Sequence, residues 1–225
     1  MTSPSVSRRH ALVLGVTGAV LLALAILLGW WIYSRENQPF TVDAAWNTLL
    51  AGVDWAPFTG LSQFMNVAGG VLLSSLIVPV AVVALLLILR RPRAAVFFVM
   101  AVALSALAVQ VLKNSFGRAR PEDILISSDY GSFPSGHAAN AATLAAVLVV
   151  LLPQLWTVGV GVLWVITMAF SRTYLHAHWL SDTLGGVLVG VGMVLVCAAV
   201  LAGWLNRERT RGGAVTDRVG LPPRG

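Results

Sequence analysis

Apolar residues run through this chain in six long blocks, at 11–33, 63–89, 94–112, 138–152, 157–170 and 180–205, with every charged residue but Asp182 in the joins or at the ends. A bilayer core takes about 20 helical residues, so four of the blocks are long enough to cross one. The fourth and fifth are short. They reach a workable length if their helices include 135–139 and 154–171, with Pro153 marking the turn between them because it cannot continue the preceding helix. The pattern predicts an all-α polytopic membrane protein: a six-transmembrane-helix bundle over residues 1–206, followed by a polar, disordered cytoplasmic tail at 207–225.

Composition agrees. The chain is 57% hydrophobic and only 11% charged, whereas a soluble domain carries about 25% charged residues. The single cysteine, Cys197, lies inside an apolar block and has no partner in the chain for a disulfide. The net charge of +6 comes from arginines gathered at span ends, which fits membrane topology rather than nucleic-acid binding. With the N-terminus inside, ten basic residues fall on the inner side: Arg8, Arg9, Arg90, Arg91, Arg93, Arg207, Arg209, Arg211, Arg218 and Arg224. Five fall outside: Arg35, Lys113, Arg118, Arg120 and Arg172. Both termini are therefore expected in the cytoplasm of a plasma (inner) membrane protein. The Arg8–Arg9 pair partly resembles a twin-arginine export signal, but the apolar block after it is long and has no small-residue cleavage site, so it reads as an uncleaved first span. In 34–62, Trp46, Leu49, Leu50, Val53 and Trp55 fit either a short interfacial helix or a plain connector, and both readings stay open.

Three short segments carry the chemistry. Residues 113–121 read K-N-S-F-G-R-A-R-P, 134–137 read P-S-G-H, and 171–182 read S-R-T-Y-L-H-A-H-W-L-S-D. In the six-span topology all three fall on the outer side. His178 and Asp182 are four residues apart, one helical face, where a carboxylate on one imidazole nitrogen leaves the other free as a nucleophile. Ser135 fits a helix N-cap, and the unpartnered N–H groups beyond it suit an anion, with Gly136 letting a phosphate come close and His137 standing over it. Lys113, Arg120 and Arg172 fit non-bridging phosphate oxygens. Each element alone also fits a structural role: a capping pair, an ordinary span start, interfacial anchors. Arg118 reads as a supporting or head-group contact, His176 as structural or lipid-facing, and Glu122, Asp123 and Asp129 as loop solvation without metal-site spacing.

Taken together, K-x6-R-P, P-S-G-H and S-R-x5-H-x3-D resemble the signature of the type 2 phosphatidic acid phosphatase superfamily. The resemblance implies a six-span membrane enzyme that hydrolyses lipid phosphates or diphosphates with neither metal nor cofactor, through a phosphohistidine. It implies His178 as nucleophile, Asp182 as its orienter and His137 as acid to the leaving oxygen, with Lys113, Arg120, Ser135, Gly136 and Arg172 binding phosphate. Polyprenyl diphosphate, phosphatidylglycerophosphate and phosphatidic acid all fit. The motifs also resemble vanadium-dependent haloperoxidases, but those relatives are soluble. A phosphatase of soluble esters and a non-turnover lipid-binding or transport protein are the remaining alternatives. Oligomeric state is not legible.

Overall fold

The computed structural model describes residues 8–127 and 130–218. Among these there are helices and turns but no strand. In chain order the helices are α1 (Arg8–Ser34), α2 (Thr41–Ala51), α3 (Ala56–Ala68), a π-helical segment (Val71–Ile77) running into α4 (Val78–Ile88), α5 (Pro92–Phe116), α6 (Gly136–Leu151), α7 (Leu155–Tyr174) and α8 (Leu180–Arg218). Five stretches are long and apolar enough to cross a membrane: Arg8–Ser34, Val71–Ile88, Pro92–Phe116, Leu155–Tyr174 and Leu180–Glu208. The protein is an integral membrane protein.

The fourth apolar block became α6, which is only 16 residues long. It is also the central helix, packing against α5, α7 and α8. Small residues make this possible. Ala138, Ala139, Ala141 and Ala142 are buried, and a methyl group on Gly186 of α8 would stand 2.5 Å from the Ser135 carbonyl oxygen. The glycines of α8 thus bring α6 and α8 together. α1 lies along the far side of α8.

The second block, 63–89, is not one helix. It breaks at Gly69–Gly70, and the next turns are widened as far as Val78. Two physical causes are visible. A Cβ on Gly69 would sit 2.5 Å from His137 Cδ2 and 2.8 Å from Met168 Cε, so only glycine lets these groups meet. Pro79 has no N–H to return to the preceding turn, which loosens it. The Ser74 hydroxyl bonds to the carbonyls of Gly69 and Gly70, at 2.8 and 3.0 Å.

Segment 34–62 is not a plain connector: α2 takes up 11 of its residues, and α3 starts in it. α2 buries Asp43 and Leu50 and exposes Val42 and Leu49. At the opposite end of the bundle, α8 continues beyond Asn206. Its Glu208 accepts hydrogen bonds from the Arg93 and Ala94 amides, at 2.8 and 3.2 Å, and so caps the start of α5. Residues 219–225 of the expected tail lie outside the described residues.

Candidate active site

The end of α5, the start of α6 and the turn between α7 and α8 meet at one end of the bundle. Gly117 closes α5 in the left-handed conformation (φ 54°), which turns the chain sharply into the Arg118–Arg120 segment. Gly131, also left-handed (φ 74°), offers its carbonyl to two cations at once: Lys113 Nζ at 2.7 Å and Arg120 Nη2 at 3.1 Å. Arg120 Nη1 donates to the Ala177 carbonyl at 2.5 Å. Arg172, at the end of α7, donates to Asn66 Oδ1 at 2.7 Å. Lys113 and Arg172 are 3% and 1% exposed, so both charges are fixed inside protein.

A cavity of about 470 Å³ opens between these groups. Lys113, Arg120, Arg172, Gly136, His137 and His178 line its upper part. Ser135 and Asp182 do not line it; they lie directly behind. Ser135 is fully buried, caps α6 by accepting from the Ala138 amide at 3.4 Å, and gives its own amide to the Asp182 carbonyl at 3.0 Å. His137 Nε2 is 3.4 Å from the Asn66 carbonyl.

The tautomer of His178 follows from its neighbours. Nδ1 lies 2.8 Å from the Ser132 carbonyl oxygen, which can only accept, so Nδ1 carries the proton. Nε2 lies 3.1 Å from Arg120 Nη1, which can only donate, so Nε2 presents its lone pair. Burial disfavours the imidazolium and pulls the His178 pKa down to about 4, reinforced by Arg120 and Arg172 and opposed by Asp182. The ring is neutral at physiological pH. A buried, neutral imidazole with its Nε2 lone pair among cations is suited to attack phosphorus.

The carboxylate expected on the imidazole is further away than a hydrogen bond. Asp182 Oδ2 is 3.7 Å from His178 Nδ1, and the bond goes to the Ser132 carbonyl instead. Asp182 is engaged elsewhere. Its Oδ2 accepts from the Trp179 amide at 2.9 Å, and its Oδ1 accepts from Arg118 Nη1 at 2.6 Å. Arg118 is thus not a head-group contact. It is 1% exposed and bridges two carboxylates, Asp182 and Asp43, the latter at 2.9 Å from Nη2. Asp43 completes the arrangement by accepting from the Ser181 amide at 2.8 Å and the Ser181 hydroxyl at 2.7 Å. Sequence reading missed Asp43.

His176 is structural: its Nδ1 stands 2.7 Å from Asn47 Oδ1 and 3.0 Å from Asp123 Oδ2. Asp123 is therefore not simple loop solvation, because it also accepts from Asn47 of α2. Asp129 lies outside the described residues. Among the described residues, no group of three or more His, Cys, Asp or Glu side chains is placed to hold a metal ion.

Apolar spans enclosing a cationic cavity with an unprotonated imidazole nitrogen define a membrane phosphatase. The family model of the PAP2 superfamily matches residues 94–205, and the chain belongs to that superfamily. Over 183 residues it is 32% identical to the undecaprenyl-diphosphatase of Sulfolobus acidocaldarius, covering 76% of this chain and 84% of the relative. It is 31% identical over 115 residues to the lipid A 4'-phosphatase of Bacteroides thetaiotaomicron, covering 44% of this chain and 51% of that relative. The crystal structure of a transmembrane PAP2-type phosphatidylglycerolphosphate phosphatase from Bacillus subtilis superposes with a TM-score of 0.68 at 23% identity, covering 85% of this chain and 96% of that one. That last likeness is one of fold.

Proposed function

We propose that this protein hydrolyses the phosphomonoester or diphosphate of a membrane lipid, without a metal, through a phosphohistidine at His178. The carrying observation is the His178 Nε2 lone pair held in a cavity with Lys113, Arg120 and Arg172. Nε2 attacks phosphorus, the Nε2–P bond forms, and the P–O bond to the leaving group breaks. Lys113, Arg120, Arg172 and the amides at the start of α6 carry the charge on the equatorial oxygens. His137 gives its proton to the leaving oxygen and then takes one from the water that hydrolyses the phosphohistidine. Nδ1–H stays bonded to the Ser132 carbonyl throughout, so the phosphorylated ring is a cation facing Asp182.

The lower cavity supports a lipid substrate. It is lined down α5 by Gln110, Val109, Ala106, Ser105 and Val102, one helical stripe. The hydrogen bond between Ser105 and Thr143, at 2.8 Å, lies on its wall eight residues below Lys113, about 12 Å down the helix. Below that pair lies the packed core of Phe97, Phe98, Ala101 and Val147. A lipid chain is longer than this depth. Val71, Ser75, Ala106 and Gln110 line the cavity and are exposed, which gives the chain a way out sideways between the π-helical segment and α5. A phosphate at head-group level with its tail in the bilayer fits that shape. The protein crosses an inner membrane six times, with α6 the short central span, α2 in the interface, the termini in the cytoplasm and the site on the outer face.

A panel of lipid phosphates and diphosphates assayed for released phosphate in EDTA tests the activity. Turnover of one or more is expected. Turnover that requires an added divalent ion, or is confined to water-soluble esters, contradicts the reading. For sidedness, a cysteine at Ser127 in a Cys197-free protein should react with a membrane-impermeant thiol reagent in intact cells, and one at Gly212 should not. The reverse pattern would place the site on the inner face.

A further inference from the structure

Asp43 stands 139 positions before Asp182 in sequence and at hydrogen-bond distance from the same guanidinium in space. The network is buried throughout: the side chains of Asp43, Arg118 and Asp182 are each 0% exposed. A buried carboxylate costs stability unless it is paired, and Asp43 has one ion pair and accepts from the Phe40 amide and the Ser181 amide and hydroxyl. It takes Arg118 Nη2 on Oδ2 and the Ser181 amide on Oδ1. What this does for the site is a matter of charge. Arg118 alone beside Asp182 would make a neutral pair, and the nucleophile would have no net charge behind it. Asp43 restores the balance: two carboxylates and one guanidinium leave one net negative charge behind His178.

We infer that Asp43, on the peripheral helix α2, is a positioning residue that keeps Asp182 electrostatically available to His178 by drawing the charge of Arg118 toward itself. The inference rests on the phosphohistidine reading. The Nε2–P bond converts a neutral ring into a cation whose Nδ1 faces Asp182 at 3.7 Å. The net negative charge favours that phosphorylated state over the free enzyme. It also divides the guanidinium between two acceptors. With Asp43 gone, both arms of Arg118 are free to turn to Asp182 and draw it from the ring. Asp43 touches neither substrate nor the reacting atoms; it acts through Arg118.

Charge replacement separates this from a packing role. Asp43→Asn removes the charge and keeps one oxygen acceptor, for the Ser181 amide, with its NH2 group turned toward Arg118. It is expected to slow phosphoenzyme formation about 10- to 100-fold, with KM and orthovanadate affinity changed less than threefold. Adding Arg118→Gln restores the net charge of one. The double variant is expected to regain at least fivefold over Asp43→Asn. Loosened packing predicts the opposite, since losses in one network then accumulate: a double variant no faster than Asp43→Asn overturns the inference. So does an Asp43→Asn enzyme with unchanged kcat. If Asp43→Asn does not accumulate as folded protein, the double variant carries the test. Folded and within about twentyfold of the native rate supports the inference; folded and slower than that overturns it. Failure of the phosphohistidine reading is seen separately, as a His137→Ala enzyme that yields no acid-labile phosphoprotein when quenched during turnover of an aryl phosphate.

Discussion

Four basic residues meet at this site, and they fall into two kinds. Lys113, Arg120 and Arg172 line the cavity and are steered by neutral oxygens, those of Gly131, Ala177 and Asn66. Arg118 sits outside the cavity with its guanidinium shared between two carboxylates. Two carboxylates on one guanidinium cancel its charge, so Arg118 is part of the framework behind His178, whereas the first three line the space an anion would enter. Arg118 and Arg120, two positions apart in the sequence, have different surroundings because the turn after Gly117 sends one into the protein and the other into the cavity.

The comparison breaks most visibly under truncation of the cavity cations. Arg120→Ala and Arg172→Ala should each lower kcat/KM about 10²- to 10³-fold, as loss of a preorganised donor does elsewhere, and should weaken orthovanadate inhibition in step. Arg118→Gln should leave vanadate affinity near its native value and act on kcat alone. A large loss of vanadate affinity in Arg118→Gln would collapse the distinction. The pH profile comes next. Attack needs neutral His178, whose pKa lies near 4 rather than at the ordinary 6.5, so protonation stops the reaction only as the pH falls through about 4. After correction for substrate ionisation, the acid limb of kcat/KM should lie there. A limb near 6.5 would mean that the ring is not buried among cations. The smallest effect is expected at Gly69. A methyl there meets His137 Cδ2 and the flexible end of Met168, so Gly69→Ala should slow leaving-group protonation several-fold, more for an alkyl than for an aryl phosphate. Equal slowing of both would show a general packing defect.

The helices and the three motifs were readable because each depends on local spacing. Long apolar blocks announce spans, but the expected shared helical face of His178 and Asp182 does not form: His178 lies in the turn after α7, and only Asp182 is in α8, which begins at Leu180. What was not readable depends on contacts distant in sequence or on the backbone. The bond that sets the His178 tautomer goes to a carbonyl at Ser132, and any residue carries a carbonyl. The break at Gly69–Gly70 had a signal in Gly69, Gly70 and Pro79, but the contact that requires glycine at 69 comes from His137 on another helix. Asp43 left a trace. It shares a helical face with Leu50, seven residues on, and both are buried. A carboxylate on the apolar face of an amphipathic helix calls for a buried cation, and Arg118 was the motif cation without an assigned phosphate role.

The most direct test of the central claim is to quench the His137→Ala enzyme during turnover of an aryl phosphate labelled at phosphorus. An activated leaving group needs little acid, so the first step proceeds, while the second lacks its base and the intermediate accumulates. The account predicts acid-labile, base-stable phosphoprotein with the label on His178, and none in His178→Ala on any substrate. Label on another residue, or near-native turnover by His178→Ala, would contradict it.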